Sequence, residues 1–127
     1  LYRPFREILA EVHQRYQKPV FIAETGAEDK ARRSWFRYAC EETYAALGEG
    51  VPVGGICLYP ILNHPGWVDD RHCHNGLWDY ADGEGDREMY EPLARELRRW
   101  QTVFEGGTPA NRPGTERVTP LIDQCAA

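Results

Sequence analysis

Two places in this sequence concentrate side chains able to do chemistry. The first is Glu24, a carboxylate that ends the apolar run Val20, Phe21, Ile22, Ala23 and is followed at once by Thr25 and Gly26. An uninterrupted apolar run of this length suits a strand covered on both faces, as in a parallel sheet flanked by helices. A charge at its end sits where the backbone leaves the sheet, and at that edge α/β folds bind ligands and do chemistry. The plainer reading is that Glu24 caps the next helix or meets a surface arginine. The second place is the stretch from Tyr59 to Asp79, which holds Asn63, His64, Trp67, Asp69, Asp70, Arg71, His72, His74, Asn75 and Trp78. Aromatic faces beside hydrogen-bonding groups suit a polar ligand with apolar faces. The same stretch offers metal-ligand types in His64, Asp69, Asp70, His72, Cys73 and His74, although their spacing is neither that of a zinc ribbon nor that of HExxH. The plainer reading makes these histidines hydrogen-bond donors at a wet subsite, and no cofactor is expected.

The elements that must position these groups follow from periodicity. Phe5, Ile8, Leu9, Val12 and Tyr16 recur at helical spacing, and Lys18 and Pro19 end that helix. The strand carrying Glu24 comes next. Thr25, Gly26 and Asp29 supply turn and cap chemistry before a second helix predicted from Lys30 to Leu47, with Phe36, Ala39, Cys40, Thr43 and Leu47 as its buried stripe. Gly48 and Gly50 stop it, and Val53 to Tyr59 reads as a second strand. From Tyr59 to Arg87 no period is visible, a connection far longer than the roughly 2–6 residues usual between strand and helix, and such loops are as a rule functional. Within it the acidic run of residues 81–88 departs from a calcium-loop spacing and reads as a solvated turn. A third helix is predicted from Glu88 to Phe104, with Pro92 in its first turn and Tyr90, Leu93, Leu97, Trp100 and Phe104 facing inward. Trp35, Trp78 and Trp100 are assigned to the core, and residues 106–127, rich in Pro, Gly and Thr, to a flexible tail.

Composition narrows the function classes. A net charge of -5 without a basic stripe argues against nucleic acid as a partner. No apolar run approaches the roughly 20 residues of a membrane span, and no signal peptide opens the sequence. Cys40, Cys57, Cys73 and Cys125 form no CxxC pair, and two of them fall in core elements, which suggests free thiols in a reducing, cytoplasmic compartment. The sequence starts without a methionine and enters a helical pattern almost at once, so it is expected to continue a longer chain.

Helix, strand, helix, strand, long loop, helix is an α/β order, with two parallel strands joined by a right-handed crossover. Two such strands alone bury little, so they are expected to complete a larger sheet or to associate. A (β/α)8 barrel takes about 250 residues, and residues 1–105 have the size and content of its last quarter plus extensions. Counting back from an inward Glu24, Val20 and Ile22 would point into the barrel, while Phe21 and Ala23 would meet the helices. On the second strand Cys57 and Tyr59 would point inward, and Ile56 and Leu58 would pack on helices.

These residues resemble a known family. IAETG, residues 22–26, is similar to the strand-seven ITENG motif of family 1 glycoside hydrolases, the β-glucosidase and β-galactosidase type of retaining (β/α)8 glycosidase. LYPILNHPGW, residues 58–67, resembles that family's strand-eight segment WSLLDNFEW, and NGLWDYAD, residues 75–82, the FGLVYVD after it. The resemblance spans residues 19–104 and implies the C-terminal part of a TIM barrel, with Glu24 as catalytic nucleophile and Tyr59, Asn63, His64 and Trp67 at the sugar. Thr25 stands where the family has asparagine, Tyr59 where it has tryptophan, and Gly66 where it has a sugar-binding glutamate, so the outer hydroxyls must be met differently. Retaining hydrolysis also needs a second carboxyl group about 5–5.5 Å from the nucleophile. The resemblance puts that group upstream of Leu1, in the remaining N-terminal part of the barrel, so the isolated residues 1–127 are expected to be inactive or nearly so. Glu28 is the one carboxylate nearby in sequence, and it is read instead as a helix-start residue. A non-catalytic carbohydrate-binding or interaction fragment, with Tyr59, Trp67 and Trp78 as a sugar platform, remains the alternative of a different class. A strand ending in Asn-Glu about 100 or more residues upstream would favour the enzyme.

Overall fold

A computed structural model describes residues 2–106. The order is α1 (Phe5–Tyr16), β1 (Val20–Thr25), α2 (Ala31–Gly48), β2 (Val53–Leu58), β3 (Trp78–Ala81), β4 (Arg87–Met89) and α3 (Glu91–Gly106). Apart from Gly106, which closes α3, the expected tail lies outside the described residues, as does Cys125. The other three cysteines are free thiols. No described helix is long and apolar enough to cross a membrane.

Each helix ends for a local reason. Gln17 takes a left-handed conformation (φ 51°) and donates its N–H to the His13 carbonyl, which turns α1 into β1. The free N–H of Phe5 at the other end donates to the Tyr38 hydroxyl of α2, and that of Arg6 to Glu42. At the start of α2 the expected side-chain cap is absent. Asp29 instead sits at φ 51°, its N–H donating to the His74 carbonyl and its own carbonyl accepting from Arg32, so its backbone does the work.

The strands β1 and β2 are parallel, as expected, with α2 as the crossover. All the helices cover one face of this pair. Leu9, Ile22, Ala46, Val51 and Val53 form one cluster and Phe36, Cys40, Leu93 and Trp100 a second, and Ile56 packs against both. Ile56 and Leu58 therefore meet helices as expected, and Cys57 and Tyr59 lie on the other, open face. On β1 the expected facing is reversed. Val20 and Ile22 pack in the helix-side core, whereas Phe21 and Ala23 are exposed, Phe21 by 56%. The cause is the register: Val20 pairs with Val53, Ile22 with Ile56 and Thr25 with Leu58, with irregularities between the pairs. A slip of one residue between Ile22 and Thr25 puts both on the helix side and turns Glu24 to the open face, so counting parity back from Glu24 fails.

The long connection also differs from expectation. It contains an antiparallel hairpin, β3 with β4, whose turn is built on Asp82: its carboxylate accepts the N–H groups of Glu84 and Asp86, both at 2.9 Å. Strands of four and three residues are too short to show a period. Because Arg87–Met89 joins this ladder, α3 starts at Glu91 and not at Glu88, with the Tyr90 carbonyl accepting from Leu93 and Ala94.

One buried group lies outside the apolar stripe. Glu96 on α3 is 3% exposed and accepts from Arg33 Nε, Arg37 Nε and NH2, Arg99 NH1 and Trp100 Nε1, at 2.9–3.2 Å. Arg33 and Arg37 belong to α2, so the carboxylate clamps α2 to α3. The Arg37 bonds, above all, hold the Glu96 carboxyl down at about 2, well below its ordinary 4.5. A group lowered on folding contributes stability that is fully present above its unfolded value and is lost as pH falls through its folded value. The expected outcome is that Glu96→Gln lowers stability at neutral pH by on the order of 3 kcal/mol and flattens the stability curve between pH 4.5 and 2. Circular-dichroism melts of the intact protein and its variant across that range check this.

Candidate functional site

The open rim is made where β1 and β2 end together. Thr25 and Leu58 are register partners, and the Tyr59 N–H donates to the Thr25 carbonyl at 2.9 Å, so Glu24 and Tyr59 leave the sheet side by side. Thr25 is buried and its hydroxyl accepts from Trp35 Nε1 at 2.9 Å. Trp35, expected in the core, is in fact well exposed: its indole edge anchors the strand end while much of its ring stays wet. Gly26 is required by contact: a Cβ there would run into the Tyr59 carbonyl oxygen. Glu24 is exposed. Among the described residues its carboxylate makes no hydrogen bond or ion pair, and the N-cap of α2, Lys30, receives no side-chain bond from it. It neither caps the helix nor meets an arginine.

Above this rim the loop is held by buried polar bonds. Asn63 is 5% exposed; its carbonyl oxygen accepts the Gly76 N–H at 2.6 Å, and its amide donates to Asp79. His74 Nδ1 lies 3.3 Å from both Asn63 Nδ2 and Asp79 Oδ1. Arg32, also buried, donates to the Gly76 carbonyl at 2.8 Å and stacks 3.5 Å over the Tyr90 ring. Arg32 did not stand out in the sequence, yet it lies four residues before Phe36 on the stripe Phe36, Cys40, Thr43, so extending that stripe by one turn would have found it. Its long stem explains how a cation can occupy an apolar face.

Glu28 is engaged differently from expectation. Arg71 grips it bidentately at 2.7 and 3.0 Å, and those bonds lower its carboxyl below the ordinary range. A carboxylate held ionised in this way is a poor proton donor at neutral pH. The metal-ligand types are dispersed. His72 stacks on Tyr80 with ring centres 4.8 Å apart, His64 Nδ1 sits 2.7 Å from the Pro65 carbonyl, and Cys73 is buried. Among the described residues no three His, Cys, Asp or Glu side chains converge to hold an ion. Of the residues expected at a ligand, Tyr59 and His64 come together, ring centres 5.9 Å apart. Asn63 lies beneath them, and Trp67 stands 85% exposed at the loop tip.

No family profile and no curated protein matches this sequence. Solved structures do match its fold. The β-glycosidase of Thermosphaera aggregans superposes with a TM-score of 0.65 at 19% identity, over 83% of this chain and 22% of that one. A Thermotoga maritima β-glucosidase in complex with glucoimidazole gives 0.65 at 21%, over 80% and 26%. The family 1 β-glucosidase of Exiguobacterium antarcticum gives 0.68 at 17%, over 83% and 26%. The fold is that of about a quarter of a family 1 β-glucosidase barrel. This accounts for the one-sided burial: the helices of a barrel quarter are in place, and the face they leave open is the one that the rest of such a barrel closes.

Gly26 offers a direct check on this barrel-quarter rim. Gly26→Ala forces backbone against backbone, with no flexible side chain able to yield, so a loss of about 1–3 kcal/mol is expected. A drop in melting temperature measures it, while Gly83→Ala, in open space on the hairpin turn, should change little.

Proposed function

We propose that this chain supplies the nucleophile-bearing edge and part of the sugar subsite of a retaining, β-glucosidase-like glycoside hydrolase, completed by further barrel strands of the intact protein. The observation that carries this reading is Glu24: an exposed carboxylate, unpaired among the described residues, on the open face at the end of a barrel strand, beside Tyr59. In the proposed reaction a Glu24 oxygen attacks the anomeric carbon as the bond to the leaving oxygen breaks, and a carboxylic acid from the rest of the barrel protonates that oxygen. Water then attacks the glycosyl ester, the second carboxylate takes its proton, and Glu24 departs as carboxylate. Glu28, ionised against Arg71, is not that acid. Tyr59, His64 and Trp67 would line the sugar, with Trp67 free to swing onto a ring face. Asn63 acts from below, by holding the loop in shape. The partner is a carbohydrate, and neither a metal nor another cofactor takes part in the proposed steps.

Glu24→Gln in the intact protein keeps shape and removes charge, so turnover should fall by several orders of magnitude with sugar binding and melting temperature preserved. Mass spectrometry after exposure to a slow-turnover activated glycoside should find a sugar adduct within residues 19–30, absent in the variant. An adduct on another carboxylate, or near-normal turnover by the variant, would overturn the assignment.

A further inference from the structure

The groove between α2 and α3, on the helix side and away from the rim, holds more positive charge than its structural task requires. It is lined by Arg33 and Arg37 from α2 and by Arg95, Glu96 and Arg99 from α3, around a cleft of about 420 Å³. A single arginine fork is enough to pair a buried carboxylate. Here Glu96 accepts from three arginines, and Arg95 forms no hydrogen bond or ion pair among the described residues. Arg33 with Arg37, and Arg95 with Arg99, are also like charges four residues apart on a helix, an arrangement that costs stability. Four guanidinium groups line the groove against one lining carboxylate, with Glu41 near Arg37 as a second acid, in a chain whose net charge is -5, so basic composition does not explain the cluster.

The geometry suits an anion. Glu96 uses Nε of Arg33 and NH1 of Arg99, which leaves further N–H groups on both forks, and all of those on Arg95. These side chains are about half exposed, so the unspent donors reach the groove. An excess of positive charge and planar forks from two helices match a tetrahedral dianion better than a single carboxylate. We propose that this groove is a binding site for a phosphate-type dianion, free or as a phosphomonoester, held by Arg33, Arg95 and Arg99 and floored by the Glu96–Arg37 pair. It is separate from the rim, and its test does not read turnover.

The test titrates inorganic phosphate into the intact protein at constant ionic strength, with chloride as the balancing anion, by calorimetry and by melting temperature. Glycerol phosphate forms a second arm. Saturable heat and a rise in melting temperature with phosphate but not chloride are expected. Arg95→Ala should weaken binding about tenfold and, by relieving the repulsion from Arg99, leave the melting temperature without phosphate equal or slightly higher. Tighter binding of glycerol phosphate would identify a phosphomonoester as the ligand, and equal binding the free ion. Phosphate acting no more strongly than chloride, or equally on the protein and on Arg95→Ala, would overturn the site. So would a lower melting temperature of Arg95→Ala without phosphate, because a carboxylate elsewhere in the protein would then already fill the groove.

Discussion

The rim depends on the register of β1 against β2. Burying Ile22 among Leu9, Ala46, Val51 and Val53 is worth about 1.5–3 kcal/mol, and the Thr25 hydroxyl must reach the indole of Trp35. Ile22 and Thr25 are three apart, so in a regular strand they would face opposite sides. The slip between them satisfies both, and its consequence is that Glu24, next to the helix-side Thr25, turns to the open face. The same strand end then needs Gly26, because the turn brings its backbone against the Tyr59 carbonyl. Packing on one face thus sets the direction of a carboxylate on the other.

The loop over this rim combines stiffness with one free part. Its base is tied by groups that have left water: Asn63 to Gly76 and Asp79, Arg32 to Gly76, and the Asp29 N–H to the His74 carbonyl. Buried polar groups are costly unless satisfied, and among the described residues no buried side-chain nitrogen or oxygen lacks a partner. The Glu28–Arg71 pair adds an outer tie between the β1 end and the loop. Only the tip, with Trp67 and Val68, projects without support. A base of this kind holds Tyr59 and His64 in place and leaves Trp67 exposed at the tip.

Helix against helix, the main polar element is the Glu96 clamp. It joins α2 to α3 through arginines 63 and 59 residues away in sequence, next to the apolar contacts of Phe36, Cys40, Leu93 and Trp100. Burial keeps this carboxylate from water, and the arginines repay that cost only while they remain charged and in place. Removing one partner is therefore a different perturbation from removing the pair. The clamp and the rim lie on opposite sides of the sheet, and α2 links them: beside the clamp's Arg33, Arg32 bonds to Gly76 of the loop and Trp35 to Thr25 of the rim, while Ile56 and Leu58 pack against the same helix-side cluster.

The five main elements and the position of Glu24 were legible in the sequence because they rest on local signals. Apolar spacing over two or three turns marks α1, α2 and α3; an unbroken apolar run marks β1; Pro19 and the glycines mark the stops. The facing of the Ile56–Tyr59 end of β2 followed from alternation, since Ile56 and Leu58 meet the helices and Cys57 lies on the open face, but Val53, of the same parity as Cys57, packs in the helix-side core. Only the tertiary structure decided the facing of β1, the hairpin within the long connection, the burial of Glu96 and Asn63, and the pairing of Glu28 with Arg71. Each of these depends on partners distant in sequence: Arg71 is 43 residues from Glu28, Asp79 is 16 from Asn63, and the register of β1 is set against β2 across the whole of α2. Periodicity tells which face of an element is apolar. It does not tell which partner supplies the extra residue of a slipped register, or which arginine makes a buried carboxylate affordable.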